Sequence, residues 1–236
     1  TNDGFKINGS KSFISGGAFS DFYLCMVRTG ALGPKGISAV LVKEGSKGLS
    51  FGSQENKMGW KSQPTAQVVF EDCNISPEHL LGEENKGFIY AMQGLDGGRL
   101  NIAAAALGGA QAALDKAKQY MKERIAFGKK LVEFQGLQFK IADMEIAINA
   151  SRTFLREAAW KLDKGMSDAS ISCAMVKKFV TDNAFTIANN SLQLLGGYGY
   201  LADYGIEKIV RDLRVHQILE GTNEIMQVII ARHSLK

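Results

Sequence analysis

The stretch GEENKGFIYAMQGLDGGRLNIAAAALGGAQAALDKAKQYMKE, residues 82–123, decides how the chain divides. Before it, short apolar runs alternate with glycine-containing turns. From Lys86 the apolar residues recur at helical spacing, and Phe88–Glu123 is rich in Ala, Leu and Gln with few β-branched residues. We therefore place a strand-rich segment at 1–83 and a helical segment at 84–236. Ala104, Leu107, Ala110, Ala113 and Leu114 make one small-residue stripe, which lets another helix approach closely. Asp96-Gly97-Gly98 interrupts this run, either as a local kink or as a place where the backbone must come close to another group.

Upstream, Phe5–Ile7 and Lys11–Ile14 flank Asn8-Gly9, a strong hairpin signal because both residues tolerate positive φ. Phe22–Arg28, Ile37–Lys43, a short Leu49–Gln54 and Gln67–Glu71 read as further strands of an antiparallel sheet or part of a barrel. Downstream, Phe134–Leu162 carries Leu137, Ile141, Met144 and Ile148 at three- and four-residue spacing and stops at Lys164-Gly165. Ser167 or Asp168 caps a helix over about 169–195, ended by Gly196-Gly197; a shorter helix covers roughly 203–217; Thr222-Asn223 caps the last, about 224–234. The sum is a helical bundle.

Composition closes several routes. The 28 Lys+Arg against 24 Asp+Glu leave a net charge of +4 with no basic run, so charge does not imply nucleic acid. No apolar run approaches a membrane span. Cys25, Cys73 and Cys173 stand far apart, which argues against a disulfide scaffold and for a reducing compartment, and the three histidines have no zinc-site spacing, so no metal is expected. The chain starts Thr-Asn-Asp-Gly, and a missing front end is expected.

Four segments can carry chemistry. In HQILEGTNEIM, residues 216–226, Glu220 sits at a helix end before Gly221, either as a surface carboxylate or as one protruding into a cleft, where it can act as a general base. Glu224 reads as a helix N-terminal carboxylate meeting free backbone N–H groups. LLGGYGY, residues 194–200, is either a helix end with a tight turn or a set of backbone donors for a phosphate or planar cofactor; it follows a helix and is no dinucleotide fingerprint. RIAFGKK, residues 124–130, is either a solvated loop or a phosphate site built on Arg124. Arg99 either faces the cleft of Glu220 or makes a surface ion pair. FISGG, residues 13–17, sets an aromatic and a hydroxyl on a strand edge, as an ordinary strand end or as packing for a flat cofactor.

In order along the chain, GFKINGSKSFISGG, FGSQENKMGWKSQPTAQVVFEDCNIS, ERIAFGK, QLLGGYGY, VRDLRVHQILEGTNE and the closing ILEGTNEIMQVIIAR resemble the acyl-CoA dehydrogenase family over essentially the full length. GLDGGRLNIAAAALG adds a closer likeness to members acting on isobutyryl-CoA and other short branched acyl-CoA. The resemblance implies a multi-domain α+β chain: the last part of a middle β domain, partial, antiparallel and barrel-like, followed by an antiparallel four-helix bundle. The family's N-terminal helical domain and the early β-domain segment ending in Gly-Ser-Asp are expected to lie outside this chain.

It further implies an oxidoreductase, a flavoprotein that uses FAD to convert a short branched acyl-CoA to its 2-enoyl-CoA, in branched-chain amino acid catabolism such as valine degradation and in fatty acid metabolism. Glu220, in the final E-G-T motif, matches the family's α-proton base. One subgroup carries that base on the long helix instead, where this chain has Gly98, which cannot act so. Arg99, Leu95, Leu219 and Gly221 fall on the acyl-CoA side, Arg99 as a positioning residue. Phe13, Ile14 and Ser15 match residues lining the flavin, and Thr222 and Glu224 match positions near its diphosphate and adenosine. Arg124, Phe127, Gln193 and Gly197 match residues reaching the FAD of a neighbouring subunit, which implies a homotetramer. Electron-transfer flavoprotein is the implied electron acceptor, and the mitochondrial matrix or the bacterial cytoplasm the location. The alternatives are a straight short-chain or 2-methylbutyryl-CoA substrate, or a non-catalytic flavin-binding or oligomerisation module.

Overall fold

A computed structural model describes residues 4–235, which form two compact units divided between Gly94 and Leu95. In the first unit six strands, β1 Phe5–Ser15, β2 Phe22–Arg28, β3 Ile37–Lys43, β4 Leu49–Phe51, β5 Thr65–Ile75 and β6 Leu80–Leu81, make two antiparallel three-stranded sheets, ordered β1-β5-β4 and β2-β3-β6. The sheets are antiparallel as expected but do not close into a barrel. Alternate residues point inward, and Val40, Val42, Val68, Phe70 and Cys73 bury between them with almost no exposed surface.

Asn8-Gly9 does not turn the chain. β1 runs through it, paired with β5 along its length, and the register slips between Ile7 and Gly9. The slip is a bulge of β5, where Glu71 and Asp72 stand opposite Asn8 alone: Asp72 takes φ 48° and Gly9 φ 139°, Asn8 Nδ2 donates to Asp72 Oδ1 at 3.1 Å, and the Asp72 N–H donates to Asn8 Oδ1 at 2.8 Å. β5, at 11 residues, is long enough to pair both halves of β1, so the ladder overrides the local turn preference. A second slip between Lys11 and Ile14 sets Phe13 in the left-handed region, φ 57°.

The helical part consists of α1 Gly87–Glu123, a small hairpin of β7 Ile125–Ala126 and β8 Lys129–Lys130, then α2 Gln135–Asp163, α3 Ala169–Leu195, α4 Ile206–Arg214 and α5 Asn223–Ser234. α1 is continuous through Asp96-Gly97-Gly98. Its buried stripe is Ala103, Ala106, Leu107, Ala110, Ala113 and Leu114. Ala104, expected on that stripe, is exposed, one residue off the buried face. α3 packs against α2, α4 and α5 and buries Cys173, Val176, Val180, Ala184 and Ala188.

The helix ends follow local chemistry. Gly165, φ 61°, follows α2, and the Ile225 N–H donates to Thr222 Oγ1 at 3.3 Å to start α5. Asp168 precedes α3 but does not cap it; its carboxylate accepts from Lys161 Nζ at 2.7 Å. The helix expected over 203–217 is shorter, because Gly205 opens it in a left-handed conformation and Val215–Gln217 tighten into a 3₁₀ turn. Among the described residues no helix is long and apolar enough to cross a membrane, and no cluster of His, Cys, Asp and Glu is placed to hold a metal.

Candidate active site

Glu220 and Gly221 join the 3₁₀ turn of residues 215–217 to α5, and both have positive φ, 56° and 87°. Gly tolerates this freely; for Glu it costs about 1–3 kcal/mol, so the surroundings must impose it. The reward is direction. The Glu220 carboxylate lies over the bare backbone of Gly98, where a Cβ would stand 2.4 Å from Oε2. Close approach is therefore the reason for this glycine; a Cβ on Gly97 would meet nothing within 4 Å. Leu95, on the preceding turn of α1, and Leu219 are half-buried.

Arg99, next to Gly98, is not on the surface. It is 6% exposed, its Nη1 donates to Asp96 Oδ1 at 2.7 Å, and its buried Nε has no hydrogen-bond partner among the described residues. Asp96 Oδ1 also accepts from Ser170 Oγ at 3.1 Å, which ties this turn of α1 to α3. Burial pushes the nearby Cys173 thiol up to about 11, so it stays a protonated, inert group.

Residues that sequence reasoning passed over hold the Glu220 loop. Lys177, with no exposed surface, donates from Nζ to the Gly221 carbonyl and to Asn223 Oδ1, both at 2.8 Å. Asn223 Nδ2 donates to Asp182 Oδ1 at 2.7 Å and to Thr181 Oγ1 at 3.0 Å, and Gln217 Nε2 donates to the same Asp182 oxygen at 2.7 Å. Burial pulls the Lys177 ammonium down to about 8, against the attraction of Asp182, Glu220 and Glu224. His216 is buried as well, and burial lowers it to about 4. The signal for Lys177 was available: it stands four residues after Cys173 and four before Thr181, on the buried stripe of α3.

The other end of α3 shapes a second place. The 3₁₀ turn Gly196–Tyr200 and the end of α1 border an open cavity of about 480 Å³, whose lining includes Arg124, Gln193, Gly196 and Gly197. Three of the four residues matched to a neighbouring flavin thus share one cavity. Arg124 Cζ stands 5.3 Å over the Tyr198 ring, and Tyr198 packs at 5.3 Å against Tyr204 and at 6.2 Å against Tyr120. Phe127 does not line it. It forms the tip of the hairpin with Gly128, both at positive φ, and is 96% exposed. Residues 124–130 are thus a two-residue-turn hairpin, not an irregular loop.

In the first unit, Phe13 projects from the β1 bulge, 74% exposed; Ile14 packs on the sheet core and Ser15 is exposed. In the second, Thr222 caps α5, and Glu224 lies exposed in its first turn, where its own N–H and the Thr222 hydroxyl hold its carboxyl below the usual range.

Comparison with known proteins extends this geometry. Residues 85–235 match the family Acyl-CoA dehydrogenase, C-terminal domain, and residues 1–73 match Acyl-CoA dehydrogenase, middle domain. The chain is 50% identical to mitochondrial isobutyryl-CoA dehydrogenase of Bos taurus over 99% of its own length and 56% of the relative's. It superposes on the structure of butyryl-CoA dehydrogenase from Megasphaera elsdenii with a TM-score of 0.95 at 40% identity, covering 98% of this chain and 60% of that one. A chain in the solved structure of the electron transferring flavoprotein of Acidaminococcus fermentans gives a TM-score of 0.97 at 42% identity, over 100% of this chain and 62% of that one. The chain therefore spans less than two thirds of the length of these relatives. Two family domains matched in order over nearly every residue, on the fold they require, establish that the chain belongs to the acyl-CoA dehydrogenase family.

Proposed function

We propose that this chain supplies the base and much of the cofactor site of an FAD-dependent dehydrogenase that converts a short, branched acyl-CoA of the isobutyryl type to its 2-enoyl-CoA. The observation that carries the reading is the Glu220 carboxylate directed over the bare Gly98. A carboxylate held by a strained backbone against a surface without side chains leaves room for a substrate carbon beside it, and it accepts the α-proton. The backbone N–H of Glu220 donates to the thioester carbonyl as charge develops there. Arg99, fixed by Asp96, keeps this turn of α1 in place, and Leu95, Leu219 and Gly221 bound the acyl chain.

The residues present fit FAD. Arg124 offers a cation to phosphate and Gln193 an amide beside an open cavity, Gly197 leaves its backbone accessible, and Phe13 offers an exposed ring to a flat group. Bound FAD supplies the hydride acceptor that no side chain of this chain provides. Ile14 and Ser15 line the flavin beside Phe13, Thr222 and Glu224 lie toward its diphosphate and adenosine, and Arg124, Phe127, Gln193 and Gly197 serve the flavin of a neighbouring copy, in a homotetramer. Electron-transfer flavoprotein takes the electrons, in the mitochondrial matrix or the bacterial cytoplasm; the likeness to a chain in the Acidaminococcus structure supports this partner. The 50% identity to the bovine isobutyryl-CoA enzyme supports the branched substrate, and valine degradation is the matching route.

The test is anaerobic bleaching of the flavin in the full-length protein by a panel of acyl-CoA thioesters. Isobutyryl-CoA should bleach it fastest, and Glu220→Gln should slow bleaching by about 10²–10⁴-fold. Unchanged bleaching in that variant overturns the base; equal rates with straight chains overturn the branched substrate.

A further inference from the structure

Lys177 is the largest fully buried side chain in the protein among the described residues, and it carries an ammonium group. An aliphatic residue would fill the same place in the bundle without the cost of burying a charge. Its two acceptors are not scattered. They are the carbonyl of Gly221 and the side-chain amide of Asn223, the first and third residues after Glu220. On the other side of Glu220, Gln217 is held by Asp182, which also holds Asn223. The left-handed residue is thus bracketed by groups anchored on one helix, α3.

We propose that Lys177 is a positioning residue that fixes the backbone at Glu220, and so the place of its carboxylate over Gly98, through the Gly221 carbonyl and Asn223. This rests on the reading of Glu220 as the base. Without the bracket, Glu220 relaxes to an ordinary φ, a rotation of roughly 100° that swings the carboxylate away from Gly98. The charged groups around Lys177 are Asp182 on its own helix, Arg99 on α1, and Glu220 and Glu224 on the loop and α5.

Three variants of the full-length protein test this: Lys177→Met, Asn223→Ala and Glu220→Gln. Amide exchange over residues 218–224, kcat and KM are measured for each. In Lys177→Met, exchange in that segment should rise at least about tenfold while the buried amides of α1 and α2 keep their rates. Its kcat should fall at least about tenfold, and by more than KM rises, because a misplaced base loses rate rather than binding. Wild-type loop exchange and kcat in a folded Lys177→Met overturn the proposal, as does acceleration spread evenly over the bundle. If Lys177→Met does not fold, Asn223→Ala decides: it keeps the bond to Gly221, and its loop exchange should rise alone, whereas wild-type exchange there overturns the proposal. Glu220→Gln separates the two claims. Full turnover in it removes the base and with it the catalytic half of the proposal, while normal kcat and loop exchange in Lys177→Met, beside an inactive Glu220→Gln, remove the bracket only.

Discussion

Lys177 Nζ donates to the carbonyl oxygen of Gly221 at 2.8 Å from a position with no exposed surface. A neutral amine still carries two N–H donors for its two acceptors, so losing the proton costs no hydrogen bond. The folded value, about 8, lies below the ordinary 10.5, and the folded state therefore releases the proton first. Between these values the unfolded chain binds more protons, so the contribution of Lys177 to stability rises with pH through that window; below about pH 8 the cost of the buried charge is fully present. Urea unfolding should show the wild type gaining up to about 3 kcal/mol on Lys177→Met across the window. A pH-independent difference between the two proteins would refute this.

The acid limb belongs to His216. Burial lowers it to about 4 from 6.5, helped by Lys177 and opposed by Asp212. As pH falls from 6.5 toward 4 the unfolded chain takes up the proton first, and stability drops by up to about 3 kcal/mol. His216→Gln should remove that slope, which is read as the pH dependence of the difference in unfolding free energy.

Gly98→Ala separates geometry from stability. The new Cβ meets Glu220 Oε2 at 2.4 Å, so the carboxylate must move. We expect kcat to fall about a hundredfold, as misplacement by an ångström does. Helix propensity favours Ala by about 1 kcal/mol, so the melting temperature should not drop with it. Wild-type turnover in this variant would show that the contact does not matter for rate.

Arg124→Ala should weaken FAD retention about tenfold or more, from loss of a charge-assisted contact. The side chain is exposed, so unfolding of the protein without flavin should be nearly unchanged. Equilibrium dialysis against FAD checks this, and wild-type affinity would remove Arg124 from the cofactor site.

What was legible in the sequence was local. The stops and starts at Gly165, Leu195 and Thr222 were readable because caps depend on neighbouring backbone groups. Asn8-Gly9 was misread because its conformation is set by β5, and its side-chain partner, Asp72, is far along the chain. Lys177 and Lys178 stand side by side in the sequence, yet Lys178 donates to Asp182 one turn on, while Lys177 lies on the buried stripe. Arg99 was readable as the neighbour of Gly98 but not as a buried ion pair, since its partner, Asp96, reads equally well as a surface residue. Glu220 was found through its motif; that its carboxylate lies over Gly98 required the fold.

The bareness of Gly98 has a consequence for how the protein can vary. Positions 98 and 220 draw on one volume, and only one of them can fill it. A larger residue at 98 displaces the Glu220 carboxylate from its place, and a carboxylate introduced at 98 competes with Glu220 for the same space. Substitutions at these two sites, distant in sequence, are therefore coupled: the effect of one depends on what stands at the other.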